Sequence, residues 1–158
     1  MPRRSSAGLL PFRSGPDGLE VLIAHMGGPF WARKDAGAWS VIKGEHELGD
    51  DPVAAARREW AEETGTPAPD GALIALGEVR QKSGKRVSAW AVEAPLLDPA
   101  GFVSNTFELE WPPRSGRLQQ FPEIDRAEWM TLDVAAHRLV DAQRPLLAAL
   151  TDALGIHS

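Results

Sequence analysis

Residues 44–66 read GEHELGDDPVAAARREWAEETGT, and the second half of this segment has the markers of a helix. Asp51 followed by Pro52 predicts the helix start, because an aspartate side chain caps free backbone amides and proline suits the first helical position. Gly65 predicts the end, because glycine readily adopts the left-handed conformation that closes many helices. The segment therefore predicts a helix over residues 52–64.

Three glutamates on this helix share one face. Glu59, Glu62 and Glu63 stand at positions i, i+3 and i+4, so a repeat of about 3.6 residues per turn projects their carboxylates in one direction. Each pair of like charges costs an exposed helix about 0.2–0.5 kcal/mol, and a divalent cation would reverse the sign of that cost. Carboxylate oxygens are hard ligands that suit Mg²⁺ or Mn²⁺. The spacing indicates a metal site for phosphate chemistry; the alternative is a solvated acidic helix balanced by Arg57 and Arg58.

The same segment resembles the conserved sequence of the Nudix hydrolases. The family pattern is Gly, five residues, Glu, seven residues, Arg-Glu, a bulky apolar residue, any residue, Glu-Glu, any residue, Gly and an apolar residue. Gly44 and residues 58–65 match it. Asp50 replaces the usual Glu with a side chain one methylene shorter, and Thr66 replaces the final apolar residue. The resemblance implies an α/β Nudix fold in which a mixed β-sheet is sandwiched between helices.

The resemblance also implies roles for the charged residues of the helix. Glu62 and Glu63 would ligate the metal, and Glu59 would be either a ligand or the general base. Arg58 would orient Glu59. The cation would stabilise the leaving phosphate and acidify a water molecule that attacks phosphorus, and a carboxylate would remove its proton.

Two further metal ligands are expected from outside the helix. The carbonyl of Lys43 or Gly44 is one, because we expect the chain to bend at the glycine and bring its backbone close to the helix. The other is an acid outside the conserved segment, for which Glu123 resembles the acid that precedes a strand tryptophan in triphosphate-cleaving members. Glu108 and Glu110 compete with it, and only geometry chooses among them.

Substrate contacts are predicted from basic and aromatic residues in the loops. The basic candidates for holding a polyphosphate are Arg33, Arg80, Lys82 and Lys85. The aromatic candidates for stacking on a base are Phe30, Trp31, Trp39 and Trp111, of which we expect about one to do so, since tryptophan is more often a core residue. His25 and His46 are not assigned to the site, because a lone histidine is usually structural or exposed.

The rest of the chain predicts strands around the central helix. Turn residues between apolar segments predict two hairpins, and the C-terminal region carries alanine and leucine at helical spacing that Pro145 interrupts. The first predicted hairpin pairs residues 7–12 with 19–25, and the second pairs residues 72–80 with 87–93. A further strand is predicted over residues 39–42, with a break at residues 43–44, and the last strand is predicted over residues 128–132. Residues 97–113 are predicted to be irregular, and the helical region is predicted over residues 132–154.

Composition limits the class of protein. The chain has 158 residues, of which 43% are hydrophobic, so we expect a single Nudix hydrolase domain over residues 1–158. It has no cysteine, which excludes disulfides, thiolate metal sites and a thiol nucleophile and fits a cytoplasmic location. Arg3 and Arg4 are followed by no apolar run long enough for a signal peptide or membrane span. The net charge of −5 argues against bulk binding of nucleic acid.

The predicted activity is therefore metal-dependent hydrolysis of a phosphoanhydride bond in a nucleoside-diphosphate-linked compound. Nucleoside triphosphates and dinucleoside polyphosphates are about equally plausible substrates, with Mg²⁺ or Mn²⁺ as the cofactor. One alternative is a non-catalytic Nudix-fold sensor of nucleotide or protein, which the intact glutamates disfavour. Another is an RNA 5′-end pyrophosphohydrolase, which the acidic composition disfavours. The sequence leaves the leaving group, the preferred metal and the oligomeric state open.

Overall fold

The computed structural model describes residues 5–156, which form nine strands and three helices. The strands are β1 (Ser5–Gly15), β2 (Gly18–Met26), β3 (Trp39–Ser40), β4 (Ile42–His46), β5 (Leu73–Arg80), β6 (Arg86–Glu93), β7 (Thr106–Glu110), β8 (Leu118–Pro122) and β9 (Ile124–Thr131). The helices are α1 (Pro52–Thr64), α2 (Leu132–Arg138) and α3 (Pro145–Ala153), and short 3-10 turns span Pro99–Gly101 and Asp141–Gln143. Arg3 and Arg4, used above to judge targeting, lie outside the described residues. Within residues 5–156, each helix is too short or too polar to cross a membrane.

The main sheet has seven strands and is mixed, as predicted. Its central path is β3-β2-β1-β6-β5, with β4 also paired to β1 and β9 paired to β2. β1 runs parallel to β6 and antiparallel to β2 and β4. Both predicted hairpins are present, β1 with β2 and β5 with β6.

A division in the sheet makes room for the candidate site. The first part of β1, Ser5–Leu9, pairs with β4, whereas its last part, Phe12–Gly15, pairs with β2. β2 and β4 therefore leave the same edge of β1 at different points and separate from each other. The gap between them becomes a cavity, with Ala24 and Met26 on one wall and residues 41–45 on the other.

Helices cover both faces of the sheet, which confirms the sandwich. Because side chains alternate along a strand, Leu22 and Ala24 of β2 pack in a cluster with Ala56 and Trp60 of α1. Val21 and Ile23, on the other face, belong to a second cluster with residues of α2 and α3. Trp60 is completely buried, and truncating such a tryptophan costs about 3–5 kcal/mol. This burial holds the glutamate-bearing helix against the sheet.

Helix α1 has the predicted bounds and caps. The Asp51 side chain accepts a hydrogen bond from the Ala54 backbone amide at 3.3 Å. Gly65 has a φ of 70° and its amide donates to the Ala61 carbonyl at 2.8 Å. These groups satisfy backbone donors and acceptors that a helix end leaves unpaired.

The predicted break at Lys43 and Gly44 is wrong. β4 continues through both residues to His46, with Lys43 opposite Gly8 and Gly44 opposite Ala7 of β1. Glycine in isolation predicts a break, but the neighbouring strand supplies backbone partners that keep the chain extended.

The region predicted to be irregular contains a strand. β7 lies within residues 97–113 and pairs with β8 as a separate two-stranded sheet. β7 alternates polar and apolar residues, with Phe107 and Leu109 on its less exposed face, which is a strand pattern that the sequence prediction missed; β8 has two exposed glutamines and a weaker pattern. The last strand of the main sheet, β9, begins at Ile124, four residues before the predicted start at Glu128.

Candidate active site

The cavity between β2 and β4 has a volume of about 500 Å³, and its lining includes four carboxylates, three of which were predicted for the site. Glu59 and Glu63 enter from α1, and Glu123 enters from the connection between β8 and β9. The other polar side chains in its lining are Ser6, Ser40, Lys43, Glu45, Lys85 and Asn105.

Gly44 allows α1 to lie close to β4. A Cβ atom built on Gly44 would be 1.9 Å from Oε2 of Glu59, so any side chain there would collide with the carboxylate. The expected close approach of backbone and helix is thus present, although the expected bend is not. Gly44 is needed for space rather than for an unusual backbone conformation.

Glu59 is largely enclosed and its charge is disfavoured. Burial raises the pKa of its carboxyl group, and the neighbouring charge of Glu62 raises that pKa further. Arg58 opposes this effect, with its Nη2 atom 3.7 Å from Oε1 of Glu59. The contact fits the orienting role implied for Arg58, which remains a prediction.

Glu63 is the most perturbed acid of the cavity. Its residue surface is only 9% exposed, and burial, followed by repulsion from Glu123, raises the pKa of Glu63 to about 7. Asn105 opposes the shift. With its amide nitrogen turned toward Glu63, Asn105 donates to both carboxylate oxygens at 3.2 Å.

Glu123 is held by backbone hydrogen bonds on both sides. Its carbonyl accepts from the Gly27 amide at 3.0 Å, and its amide donates to the Asn105 carbonyl at 2.9 Å. Burial raises the pKa of its side chain, whereas the cavity lysines lower it. Glu108 and Glu110 lie exposed on β7, outside the cavity lining. Geometry therefore favours Glu123 among the three candidates, and its role as a ligand remains a prediction.

Two lysines face the carboxylates. Burial, followed by the charge of Lys85, lowers the pKa of Lys43, and the acids Glu45, Glu63 and Glu123 raise it. Nζ of Lys85 forms an ion pair with Oε1 of Glu45 at 2.7 Å. The cavity thus combines carboxylates with two ammonium groups, a set suited to holding a cation next to phosphate oxygens.

Other charged candidates lie outside this cavity. Glu62 is exposed on α1 and contacts the site through Glu59. Arg80 and Lys82 line a separate groove, and Arg33 is exposed and lines neither. Asp50, where the family usually has Glu, accepts a hydrogen bond from the Glu47 amide at 3.0 Å and so stabilises its own turn.

The aromatic candidates have different environments. Trp39 is completely buried and donates from Nε1 to Asp35 at 3.0 Å, so it is not accessible to a base. Phe30 and Trp111 contact each other edge to face, with ring centroids 5.5 Å apart. Trp31 lines the same groove as Arg80.

Neither histidine lies in the cavity lining, as expected. His25 is completely buried; its Nδ1 is 2.7 Å from Oδ1 of Asp125 and its Nε2 is 2.6 Å from the Lys34 carbonyl oxygen. His46 is near the surface, and its Nδ1 lies 3.1 Å from the carbonyl oxygen of the adjacent Glu47. Both side chains therefore have structural hydrogen bonds.

The donor set fits a divalent cation. Among residues 5–156, no three acidic or histidine side chains form a closed set of metal ligands. Mg²⁺ does not require one, because it usually retains several waters and binds through one or two carboxylates together with substrate phosphates. Burial is the main cause of the raised pKa values of Glu59, Glu63 and Glu123, and a cation bound among these oxygens would favour their charged forms.

The NUDIX domain family model matches residues 2–150 of the chain. The chain belongs to the Nudix family. This membership confirms the general activity predicted above, that of a Nudix-type pyrophosphohydrolase, and Nudix hydrolases generally use divalent metals. No curated protein is significantly similar to the chain.

Solved structures agree with the Nudix fold. Caenorhabditis elegans Ap4A hydrolase in a binary complex is 20% identical, with 95% of this chain and 98% of that chain covered and a TM-score of 0.66. The Escherichia coli ORF135 protein is 23% identical over 96% and 91% of the two chains, with a TM-score of 0.58. The Nudix domain of Shewanella oneidensis NrtR, complexed with ADP ribose, is 14% identical over 98% and 90%, with a TM-score of 0.62. At these identities the likeness shows the fold alone.

Two features of this Nudix cavity escape sequence reasoning. Asn105 lies in the region predicted to be irregular, so no pattern singled it out. The carbonyl of Lys43 was considered, but its side chain was not, although its position next to the conserved segment was a usable signal. Asn105 reaches the cavity because the chain folds back between β7 and β9, whereas Lys43 is placed there by the pairing of β4 with β1.

Proposed function

We propose that this Nudix protein requires Mg²⁺ or Mn²⁺ and hydrolyses a phosphoanhydride bond in a nucleoside-diphosphate-linked compound. The observation that carries this proposal is the meeting of Glu59, Glu63 and Glu123 with Lys43 and Lys85 in one cavity. Hard oxygen donors and ammonium groups in one cavity suit a metal-complexed polyphosphate.

The residues of the helix divide the chemical tasks. When bound, the divalent cation supplies charge stabilisation to phosphate oxygens and acidifies water. In our proposal Glu59 accepts a proton from a water molecule. The water oxygen attacks phosphorus in line, and the bond from phosphorus to the leaving phosphate oxygen breaks. The raised pKa of Glu59 favours this role, because a general base works best with a pKa near the working pH. Arg58 holds the carboxylate of Glu59 in place.

The remaining residues hold the reactants. Glu63 and Glu123 are proposed metal ligands, with Glu62 completing the set at the exposed edge. The carbonyl of Lys43 or Gly44 is a further proposed ligand. The Lys43 and Lys85 ammonium groups would bind phosphate oxygens, which are acceptors only and carry negative charge.

The proposed substrate is a nucleoside triphosphate or a dinucleoside polyphosphate. One structural neighbour is named an Ap4A hydrolase and another is complexed with ADP ribose, and both names denote nucleotide compounds. The net charge of −5 disfavours RNA, whose binding depends on many phosphate contacts.

The test is a product-resolved panel of nucleoside triphosphates, dinucleoside polyphosphates, nucleotide sugars and capped RNA, each with Mg²⁺, with Mn²⁺ and with excess chelator. We expect turnover of a nucleotide polyphosphate with metal and none with chelator, while circular dichroism shows an intact fold. Full turnover in chelator would refute the metal requirement. Selective turnover of capped RNA would replace the proposed substrate class.

A further inference from the structure

A second groove, of about 890 Å³, lies beside the catalytic cavity and has the opposite electrostatic character from the chain as a whole. Its lining includes the cationic side chains of Arg80, Lys82 and Arg144 but only one carboxylate, that of Asp141. Asp141 is already paired with Arg144, whose Nη2 lies 3.1 Å from Oδ1. In a protein of net charge −5, this is a local excess of positive charge.

Two of these cations form no ion pair within the described part of the chain. Arg80 and Lys82 are exposed, and neither forms an ion pair with any residue between 5 and 156. Positive side chains arranged around a concave surface attract an anionic ligand. The groove therefore has the charge needed for a phosphate group.

The groove also contains an accessible aromatic ring. Trp31 is partly buried and packs against the cluster under α2 and α3, so its position is fixed by the core. Lys34, which is not part of the groove lining, lies over the ring with Nζ 5.5 Å from the centroid. A fixed indole next to cations can stack on a nucleobase while the cations bind its phosphate.

A chain of hydrogen-bonded side chains connects the lining of this groove to that of the carboxylate cavity. Buried Gln143 donates from Nε2 to Ser40 Oγ at 3.0 Å and to Gln81 Oε1 at 3.3 Å. Ser40 lines the cavity and Gln81 lines the groove. The two compartments are therefore neighbours, joined through the side chains of Ser40, Gln143 and Gln81.

One turn contributes cations to both compartments. Residues 81–85 connect β5 to β6, and the Gln81 amide donates to the Lys85 carbonyl at 2.8 Å. Lys85 points to the cavity, whereas Lys82 lines the groove. A phosphate chain that crosses this turn would meet positive side chains on both sides.

We propose that the groove binds the second nucleotide end of the substrate, so that the preferred substrate is a dinucleoside polyphosphate. The phosphates to be cleaved would occupy the carboxylate cavity, and the remote nucleotide would stack its base on Trp31 and place its phosphate near Arg80, Lys82 and Arg144. This inference rests on the proposed function. A nucleoside triphosphate, which has one nucleoside, would leave the groove empty.

A binding experiment tests the groove independently of catalysis. Adenosine monophosphate is titrated into the ¹⁵N-labelled full chain and backbone amide shifts are followed. We expect saturable shifts at Trp31, Gly37 and Ser83, binding that is about tenfold or more weaker in Trp31→Leu, and near-normal binding in Trp31→Phe, which keeps an aromatic face. Shifts confined to the cavity around Glu63, or no shifts at millimolar nucleotide, would overturn the proposal.

A kinetic experiment then tests the substrate class. Arg144→Gln should raise KM for a dinucleoside tetraphosphate several-fold and leave KM for a nucleoside triphosphate unchanged. The matched control Arg117→Gln, at an exposed arginine that lines neither compartment, should raise neither. Equal effects of Arg144→Gln on both substrates, or turnover of the triphosphate alone, would overturn the assignment of the groove to a second nucleotide. Tighter binding of single-stranded RNA than of adenosine monophosphate to the groove would also overturn it. If no substrate is hydrolysed, the proposed function fails, while the shift titration still decides whether the groove binds a nucleotide.

Discussion

Replacing Glu63 with Gln should make the metal-free protein more stable and the enzyme inactive. The carboxyl group of Glu63 is nearly buried, and its pKa is raised from 4.5 to about 7. A shift of this size disfavours the charged state by about 3 kcal/mol in the folded protein. Gln has nearly the same volume and no charge, and its carbonyl oxygen still accepts from Asn105. At pH 8 without metal, we expect the variant to be more stable by up to about 3 kcal/mol, or roughly 6–12 °C in Tm.

The effect should depend on pH in a defined direction. Because the folded-state pKa of Glu63 is raised, the folded protein keeps a proton that the unfolded chain releases between pH 4.5 and about 7. Glu63 therefore favours folding most strongly below pH 4.5, and that contribution is lost as the pH rises through about 7. The stability difference between variant and wild type should be small at pH 5 and largest at pH 8.

Urea unfolding in chelator at pH 5 and pH 8 measures this difference. Glu62→Gln is the matched control, because Glu62 is the adjacent glutamate on the same helix but is exposed; its stability should change by no more than about 0.5 kcal/mol. Saturating Mg²⁺ should stabilise wild type and reduce the advantage of Glu63→Gln. A variant no more stable than wild type at pH 8, or equally stabilised at both pH values, would show that Glu63 is not held in an unfavourable charged state. In turnover assays both variants should lose activity by orders of magnitude, since each removes a proposed charged metal ligand.

Two other substitutions probe the site from different directions. Glu123→Gln should shift the dependence of the hydrolysis rate on Mg²⁺ toward higher concentration without lowering Tm. Glu108→Gln, at an exposed strand position, should leave the Mg²⁺ curve unchanged. A Glu123→Gln curve that overlays that of wild type would remove Glu123 from the proposed ligand set. Gly44→Ala should lower kcat at least tenfold, because the added Cβ would meet the Glu59 carboxylate at 1.9 Å; a wild-type rate in that variant would mean that Glu59 moves aside without harm to catalysis.

Local sequence determined the helix that carries the chemistry. Asp51, Pro52 and Gly65 act on backbone groups within a few residues, so they define α1 without help from the rest of the fold. The spacing of Glu59 and Glu63 likewise follows from helical geometry alone. The family and the class of reaction were implied by the resemblance of Gly44 and residues 58–65 to the Nudix pattern.

Partners that are distant in the chain could not be read from the sequence. The strand through Gly44 exists because β1 pairs with it, and β7 exists because β8 pairs with it; neither strand has a pattern that predicts its partner. Strand pairing over such separations depends on hydrogen bonds that the local sequence does not encode.

Tertiary structure alone decided which charges meet. Glu62 and Glu63 are adjacent in sequence, yet one is exposed and the other is buried beside Glu123, because only the second faces the gap between β2 and β4. Arg80, Lys82 and Lys85 looked equivalent as basic loop residues, but the turn between β5 and β6 directs Lys85 to the cavity and the other two to the neighbouring groove. Residue type and spacing determine which chemistry is available, whereas burial and long-range proximity, which set pKa values and ligand geometry, arise only when the sheet and its helices are assembled.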